Sequence, residues 1–267
     1  GAKVYHIDPP SGPLWKHPCT EKILNKNKIN IILDLKTEKG LKEATELITK
    51  ADVLVENFTP GVMDKFGLSA KNVYHINPKI IYLSLPGFHD QHSNELLKNI
   101  KSWESIIMAN TGVFSDMGLN RILLGKNPSF SSLPLASTYA SSIGALGIIM
   151  SLYARTFHGQ GNILKVSLDF SLMECLVHNS ISIDNCPERY LNMREKEIAR
   201  RKKLKLPMNL NYNQVCKLMD PFFSIYFCKD NRPIYLVAPS HKQHHLRVLE
   251  ALDIDSNILP DDESYYD

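Results

Sequence analysis

The chain has 267 residues, 43% of them hydrophobic and 22% charged, which is long and apolar enough for one large or two smaller globular domains and argues against a disordered protein. Its 31 Lys and Arg against 28 Asp and Glu leave a formal charge of +3, so no global field selects nucleic acid or a membrane surface as a partner, while small anionic ligands stay open. Five scattered cysteines (Cys19, Cys175, Cys186, Cys216 and Cys228), odd in number and without a C-x-x-C pair, argue against a disulfide framework or zinc cage and for a reducing compartment.

In chain order, short β-rich runs alternate with helical patterns, the signature of βαβ units and a mostly parallel sheet. Strands are expected at Lys3–Ile7, Ile29–Leu33, Val53–Val55 and Ile80–Leu85. Between them, Thr37 caps a helix to Lys50 with Leu41, Ala44, Leu47 and Ile48 on one face, and Ser69 caps a short helix ending near Asn77-Pro78. Trp103–Asn110 reads as helix, and a long helix follows from about Pro134 to Arg155. The stretch Asn127–Ala154 carries no Asp, Glu, Lys or Arg, yet its serines and its Ala136, Ala140, Gly144 spacing predict a helix buried in a soluble protein rather than a membrane span. A turn at His158–Gly161, a strand at Ile163–Leu168 and an apolar helix over Phe170–Ser182 complete the first part.

The composition changes at Cys186-Pro187, which sets the expected boundary between domains 1–185 and 186–267. Arg189–Lys205 is strongly charged, and Glu195 and Glu197 break its field, so it reads as a solvated helix linking the domains rather than a nucleic-acid patch. Phe222–Cys228 and Ile234–Val237 flank a turn at Lys229–Arg232, a β-hairpin, and Ser240 caps a helix to about Leu252 before an acidic tail. His241, His244 and His245, with His178, could be imagined around a metal, but a helix surface accounts for them and no metal is expected.

Several segments at matching order and spacing resemble the CaiB/BaiF family, the family III CoA-transferases. They are Gly1–Pro10; Leu24-Asn25-Lys26-Asn27-Lys28 leading into Leu33-Asp34-Leu35-Lys36; Ala51-Asp52-Val53-Leu54-Val55-Glu56-Asn57-Phe58-Thr59-Pro60-Gly61-Val62-Met63; Ile76–Tyr82 with Ser84 and Gly87-Phe88; Ala145-Leu146-Gly147-Ile148; and Gly159-Gln160-Gly161. The resemblance implies an α/β fold: a Rossmann-like large domain with a mostly parallel sheet, then a linker helix and the start of a smaller α+β domain. It implies CoA, bound as an acyl-CoA thioester without a metal, and transfer to a carboxylic acid in the cytoplasm. Residues Asn25, Lys26, Lys28, Asn57, Phe58, Thr59 and Pro60 would line the CoA site. An Asn- and Lys-bearing loop, and a loop-to-helix junction whose N–H groups can face an anion, make physical sense of that assignment. Each also has a plainer reading as solvated charge or turn chemistry.

The family attacks the thioester with an Asp, giving a mixed anhydride, so a carboxylate is required. The alignment puts Ser137 at that place; a hydroxyl cannot form the anhydride, and no histidine lies near in sequence to activate it. Related racemases use a His immediately before an acidic residue where this chain reads Trp103-Glu104; Glu104 can serve as a base or simply cap a helix. The resemblance further implies segments before Gly1 and after Asp267, and a homo- or heterodimer with a homologous chain. A CoA-transferase-like enzyme and a catalytically inactive CoA-binding subunit are the two readings left by this pattern.

Overall fold

The computed structural model describes residues 1–13, 18–89, 97, 100–115, 120–176, 192–238 and 242–258. In chain order its elements are β1 (Tyr5–Asp8), α1 (Pro18–Leu24), β2 (Ile29–Ile32), α2 (Glu38–Lys50), β3 (Val53–Glu56), α3 (Val62–Lys65), α4 (Ala70–Ile76), β4 (Ile81–Ser84), α5 (Glu104–Asn110), α6 (Asn120–Leu123), α7 (Leu135–His158), β5 (Asn162–Lys165), α8 (Leu168–Leu176), α9 (Asn192–Lys203), α10 (Tyr212–Cys216), β6 (Phe223–Phe227), β7 (Pro233–Val237) and α11 (Lys242–Ala251). They form two compact units, Gly1–Ile107 with Pro134–Cys175, and Met108–Leu133 with Leu176–Asp267. The expected boundary at 185/186 lies outside the described residues, and the segment 108–133 goes with the second unit.

The first unit is α/β with parallel strands. β1 pairs with β2 from Tyr5 opposite Ile29 to Asp8 opposite Ile32, and β3, β4 and β5 form a second parallel sheet in that order. Parallel neighbours need crossovers: α1 lies between β1 and β2, α4 between β3 and β4, and α7 between β4 and β5. Thr37 caps α2 through its hydroxyl, which accepts from the Gly40 N–H at 3.1 Å, and Ser69 does the same for α4 from Asn72. The predicted α2 stripe buries Ala44 and Ile48 and lays Leu41 and Leu47 against Leu33, Met63, Leu68, Val73, Ile80 and Tyr82. Expected and observed strands differ at their ends: Leu168, predicted to close a strand, already begins α8.

The long helix α7 departs from expectation. Ala136, Ala140, Gly144 and Ser151 are buried, Gly144 lying against the Leu83 side chain. Leu146, Ile149, Met150, Tyr153 and Phe157 are each more than half exposed, so the helix expected to be buried is covered on one side only. It is long and apolar enough to cross a membrane by length and composition alone.

Among the described residues the second unit shows two small cores. Leu123, Ile198, Leu210 and Val215 form one, and Phe222, Ala238 and Leu249 the other. The charged helix α9 therefore packs through Ile198, with Arg194 buried and donating to Asn120 Oδ1 at 3.0 Å, instead of standing as a solvated linker. The hairpin β6–β7 is antiparallel, as read, with Asn231 at φ 65° in its turn. His245 is not on a helix surface: it is 1% exposed and stacked on Phe222 with ring centroids 3.8 Å apart.

Candidate functional site

The site is built at the carboxyl edge of the β3–β4–β5 sheet. There the chain zips its exits together: Leu85 N–H donates to Glu56 O, Val166 to Ser84 O, Leu168 to Pro86 O and Asp169 to Gly87 O, all within 2.8–3.1 Å. A β-carbon on Gly87 would fall 1.8 Å from the Ser102 side chain, so only glycine lets residue 102 press onto this edge. That approach delivers Glu104, two residues on, beside the sheet. Buried Asp169 stiffens the same loop by accepting from Phe170 N–H at 2.7 Å and His89 N–H at 3.3 Å.

Helix α7 returns to the amino edge, where Gly161 N–H donates to Pro78 O, so its own N-terminus lies at the carboxyl edge. Pro134, at its cap position, offers no side-chain acceptor. The carboxylate of Glu104 fills that role from 33 positions away in sequence. Its Oε1 accepts from Ala136 N–H at 2.7 Å, and its Oε2 from Ser137 N–H at 3.1 Å and from the Ser137 hydroxyl. Two orphan helix donors are thus satisfied by an anion placed where the helix dipole favours one. Glu104 and Ser137, named separately from the sequence, form one constellation. Thr138 donates its hydroxyl to Pro134 O at the cap, Ser141 and Ser142 donate theirs to carbonyls on α7, and the pKa of the Tyr139 phenol is raised by its hydrogen bond to Cys175.

The proposed ligand-lining residues fall in two places. Asn57, Phe58, Thr59 and Pro60 leave the carboxyl end of β3 and lead into α3 through Gly61 at φ 82°. The Phe58 N–H does not face outward for an anion, as the sequence suggested; it donates to Glu56 Oε2 at 2.9 Å, and Val62 N–H is bound to Thr59 O. Glu56 also bonds the Tyr82 phenol, which burial first and then this carboxylate push above the ordinary tyrosine range. The Phe58 ring is 42% exposed and edge-on to Phe66. Asn25, Lys26 and Lys28 instead enter the amino end of β2, in a turn with Lys28 N–H on Asn25 O and Asn27 at φ 63°; Lys28 Nζ reaches Asn25 Oδ1 at 3.4 Å. What sequence reasoning missed is Glu56, whose acceptor role between a loop amide and a buried phenol depends on the parallel register of Glu56 with Ser84.

Away from this edge, an open recess at the amino ends of the strands is lined by Asp52, Asn77, Lys79 and Arg155. Arg155 is committed there to Asp52 Oδ1 at 2.7 Å and Lys79 O at 2.8 Å, a fold-holding arrangement. Among the described residues no group of three His, Cys, Asp or Glu is placed to hold a metal ion; His178 and His241 lie outside them.

The fold is α/β with parallel sheets and a carboxylate at a helix start, and comparison with known proteins gives the class. The chain belongs to CoA-transferase family III, whose profile matches residues 1–267. It is 46% identical over 254 residues to the CoA-transferase/lyase DddD of Marinomonas sp. (strain MWYL1), covering 95% of this chain and 30% of that protein. It is 37% identical over 171 residues to the formyl-CoA:oxalate CoA-transferase of Bradyrhizobium diazoefficiens, covering 60% and 38%. The chain thus spans about a third of the length of these relatives. Among solved structures, a CAIB/BAIF family protein from Brucella suis aligns over 99% of this chain and 65% of its own at TM-score 0.61 and 21% identity. Rv3272 from Mycobacterium tuberculosis aligns over 95% and 61% at TM-score 0.61 and 18% identity, and both support the fold.

Proposed function

We propose that this chain binds CoA thioesters and acts in the transfer of CoA between carboxylic acids. The family match over residues 1–267 carries this reading, supported by the Asn57-Phe58-Thr59-Pro60 segment at the carboxyl end of a parallel strand, where open α/β sheets bind ligands. The exposed Phe58 ring offers a face for adenine or the pantetheine arm, and Lys26 and Lys28 offer ammonium groups for phosphates. The reading carries with it a cytoplasmic setting, no metal, no nucleic-acid or membrane partner, and assembly with a homologous chain. It also carries a division into a CoA-transferase-like domain over 1–185 and a linker with small-domain segment over 186–267.

The test is calorimetric titration with CoA and short acyl-CoAs against adenosine nucleotides lacking pantetheine. Saturable binding that needs pantetheine supports the reading; a folded sample that binds none of them removes it. Replacing Lys28 by Ala is expected to weaken CoA binding about two- to fivefold, the share of one exposed charge. A second reading rests on Ser137 at the nucleophile's position: a CoA-binding subunit without chemistry of its own, whose homologous partner performs the transfer. CoA binding with no CoA release from any acyl-CoA, restored only by adding that partner, would favour it.

A further inference from the structure

A carboxylate lies against residue 137, although residue 137 itself supplies none. We propose that Glu104 is the nucleophile of this chain, brought from α5 to the place that the Ser137 side chain leaves short; this rests on the acyl-CoA reading above. Glu104 Oε2 receives both the N–H and the hydroxyl of Ser137, so it lies within one hydrogen bond of the Ser137 side chain. Ala136 N–H holds Oε1 at 2.7 Å. A carboxylate has about four lone-pair sites, so three donors fix its plane and leave one site on Oε1 for attack. The orientation is preset by a helix end, which lowers the cost of reaching an attacking geometry.

The step balances without any further reagent. Glu104 Oε1 attacks the thioester carbonyl carbon; the C–O bond of a mixed acyl–glutamyl anhydride forms, the C–S bond breaks, and CoA leaves as a thiolate that takes a proton from solvent. An incoming carboxylate or CoA thiolate can then open the anhydride. The same geometry contains a competitor, in which Glu104 accepts the Ser137 proton and the hydroxyl attacks, leaving an acyl ester on Ser137.

Trapping separates them. The wild-type chain is mixed with acetyl-CoA and neutral hydroxylamine, free CoA is measured, and the peptides holding residues 104 and 137 are read by mass spectrometry. The expected result is CoA release with conversion of Glu104 to its hydroxamate, the modification staying at 104 in Ser137→Ala and CoA release falling by at least about a hundredfold in Glu104→Gln. An acyl ester on Ser137 would overturn the proposal, as would a folded wild-type chain that binds CoA by titration yet gains no hydroxamate at 104. A wild-type chain that binds no CoA would remove the acyl-CoA reading and the proposal with it. The wild-type result decides the matter even if Glu104→Gln does not fold.

Discussion

Replacing Glu104 by Ala removes the only side-chain acceptor described at the start of α7. Two backbone donors, Ala136 N–H at 2.7 Å and Ser137 N–H at 3.1 Å, lose their partner together with the Ser137 hydroxyl. Loss of a helix cap costs about 0.5–2 kcal/mol, and loss of an anion at the positive end of a helix about 0.3–1 kcal/mol more. Ser137 is exposed, so water takes over its hydroxyl and adds little to the cost. The sum is about 1–3 kcal/mol, localised at the first turn of α7. Because the chain has two units, a single melting temperature blends their transitions, and hydrogen exchange read residue by residue is the better assay. The Ala136 and Ser137 amides are expected to exchange about ten- to a hundredfold faster in Glu104→Ala, and Glu104→Gln, which keeps one acceptor oxygen, to recover about half of that in logarithmic terms. Unchanged exchange at both amides in Glu104→Ala would show that the carboxylate does not hold the helix start, and would refute the geometry on which the site is built.

Three further outcomes are expected. Gly161→Ala places a β-carbon 1.9 Å from Ile80 O, a backbone atom that cannot rotate away, so an unfolding free energy in urea lowered by about 2–4 kcal/mol is expected, and a wild-type value would contradict the close approach. Asn77→Ala frees the Ile48 and Ala51 carbonyls, each now receiving the Asn77 Nδ2 at 3.0 Å, and should cost about 2–3 kcal/mol in the same assay; a change below about 0.5 kcal/mol would mean that water replaces the amide. Glu197 is held down to about 2 by its bonds to Arg200 and then Arg201. A depressed carboxylate stabilises the fold above its ordinary pKa and loses that contribution as pH falls toward about 2. Its side-chain carboxyl carbon resonance should therefore stay at the ionised position through pH 4, and a midpoint above pH 4 would break the pairing.

Local signals carried much of the architecture. Thr37 and Ser69 are capping hydroxyls whose partners sit three residues away, so their helices were readable from spacing alone. β2, β3 and β4 were placed to within one residue at either end, because short apolar runs bounded by turn residues leave little freedom. The elements missed, α1, α6 and α10, are four to seven residues long, too short for a periodic pattern. For α10 a signal existed and went unread: Asn211 and Gln214 form a reciprocal capping box. The site was legible as a set of residues and illegible as an arrangement. Glu104 meets Ser137 only because Gly87 admits Ser102 to the sheet edge, and Phe58 N–H turns inward only because Glu56 is in register with the strand carrying Tyr82. Pairings of that kind depend on tertiary register, which single-residue spacing does not encode.

The carboxylate of Glu104 also has a topological consequence. Residue 104 lies one helical turn before the chain passes from the first unit to the second at Met108, and residues 136 and 137 lie just after it returns at Pro134. The hydrogen bonds between them therefore act as a clasp at the root of a departing and returning loop, fixing its two ends to one another whatever the loop contains. With its ends pinned, that excursion can lengthen or shorten at small entropic cost to the parent sheet. Changes of length near the clasp, in 127–133, should then be absorbed without moving the sheet's carboxyl edge, whereas Leu123 within the same excursion is held in a core of the second unit.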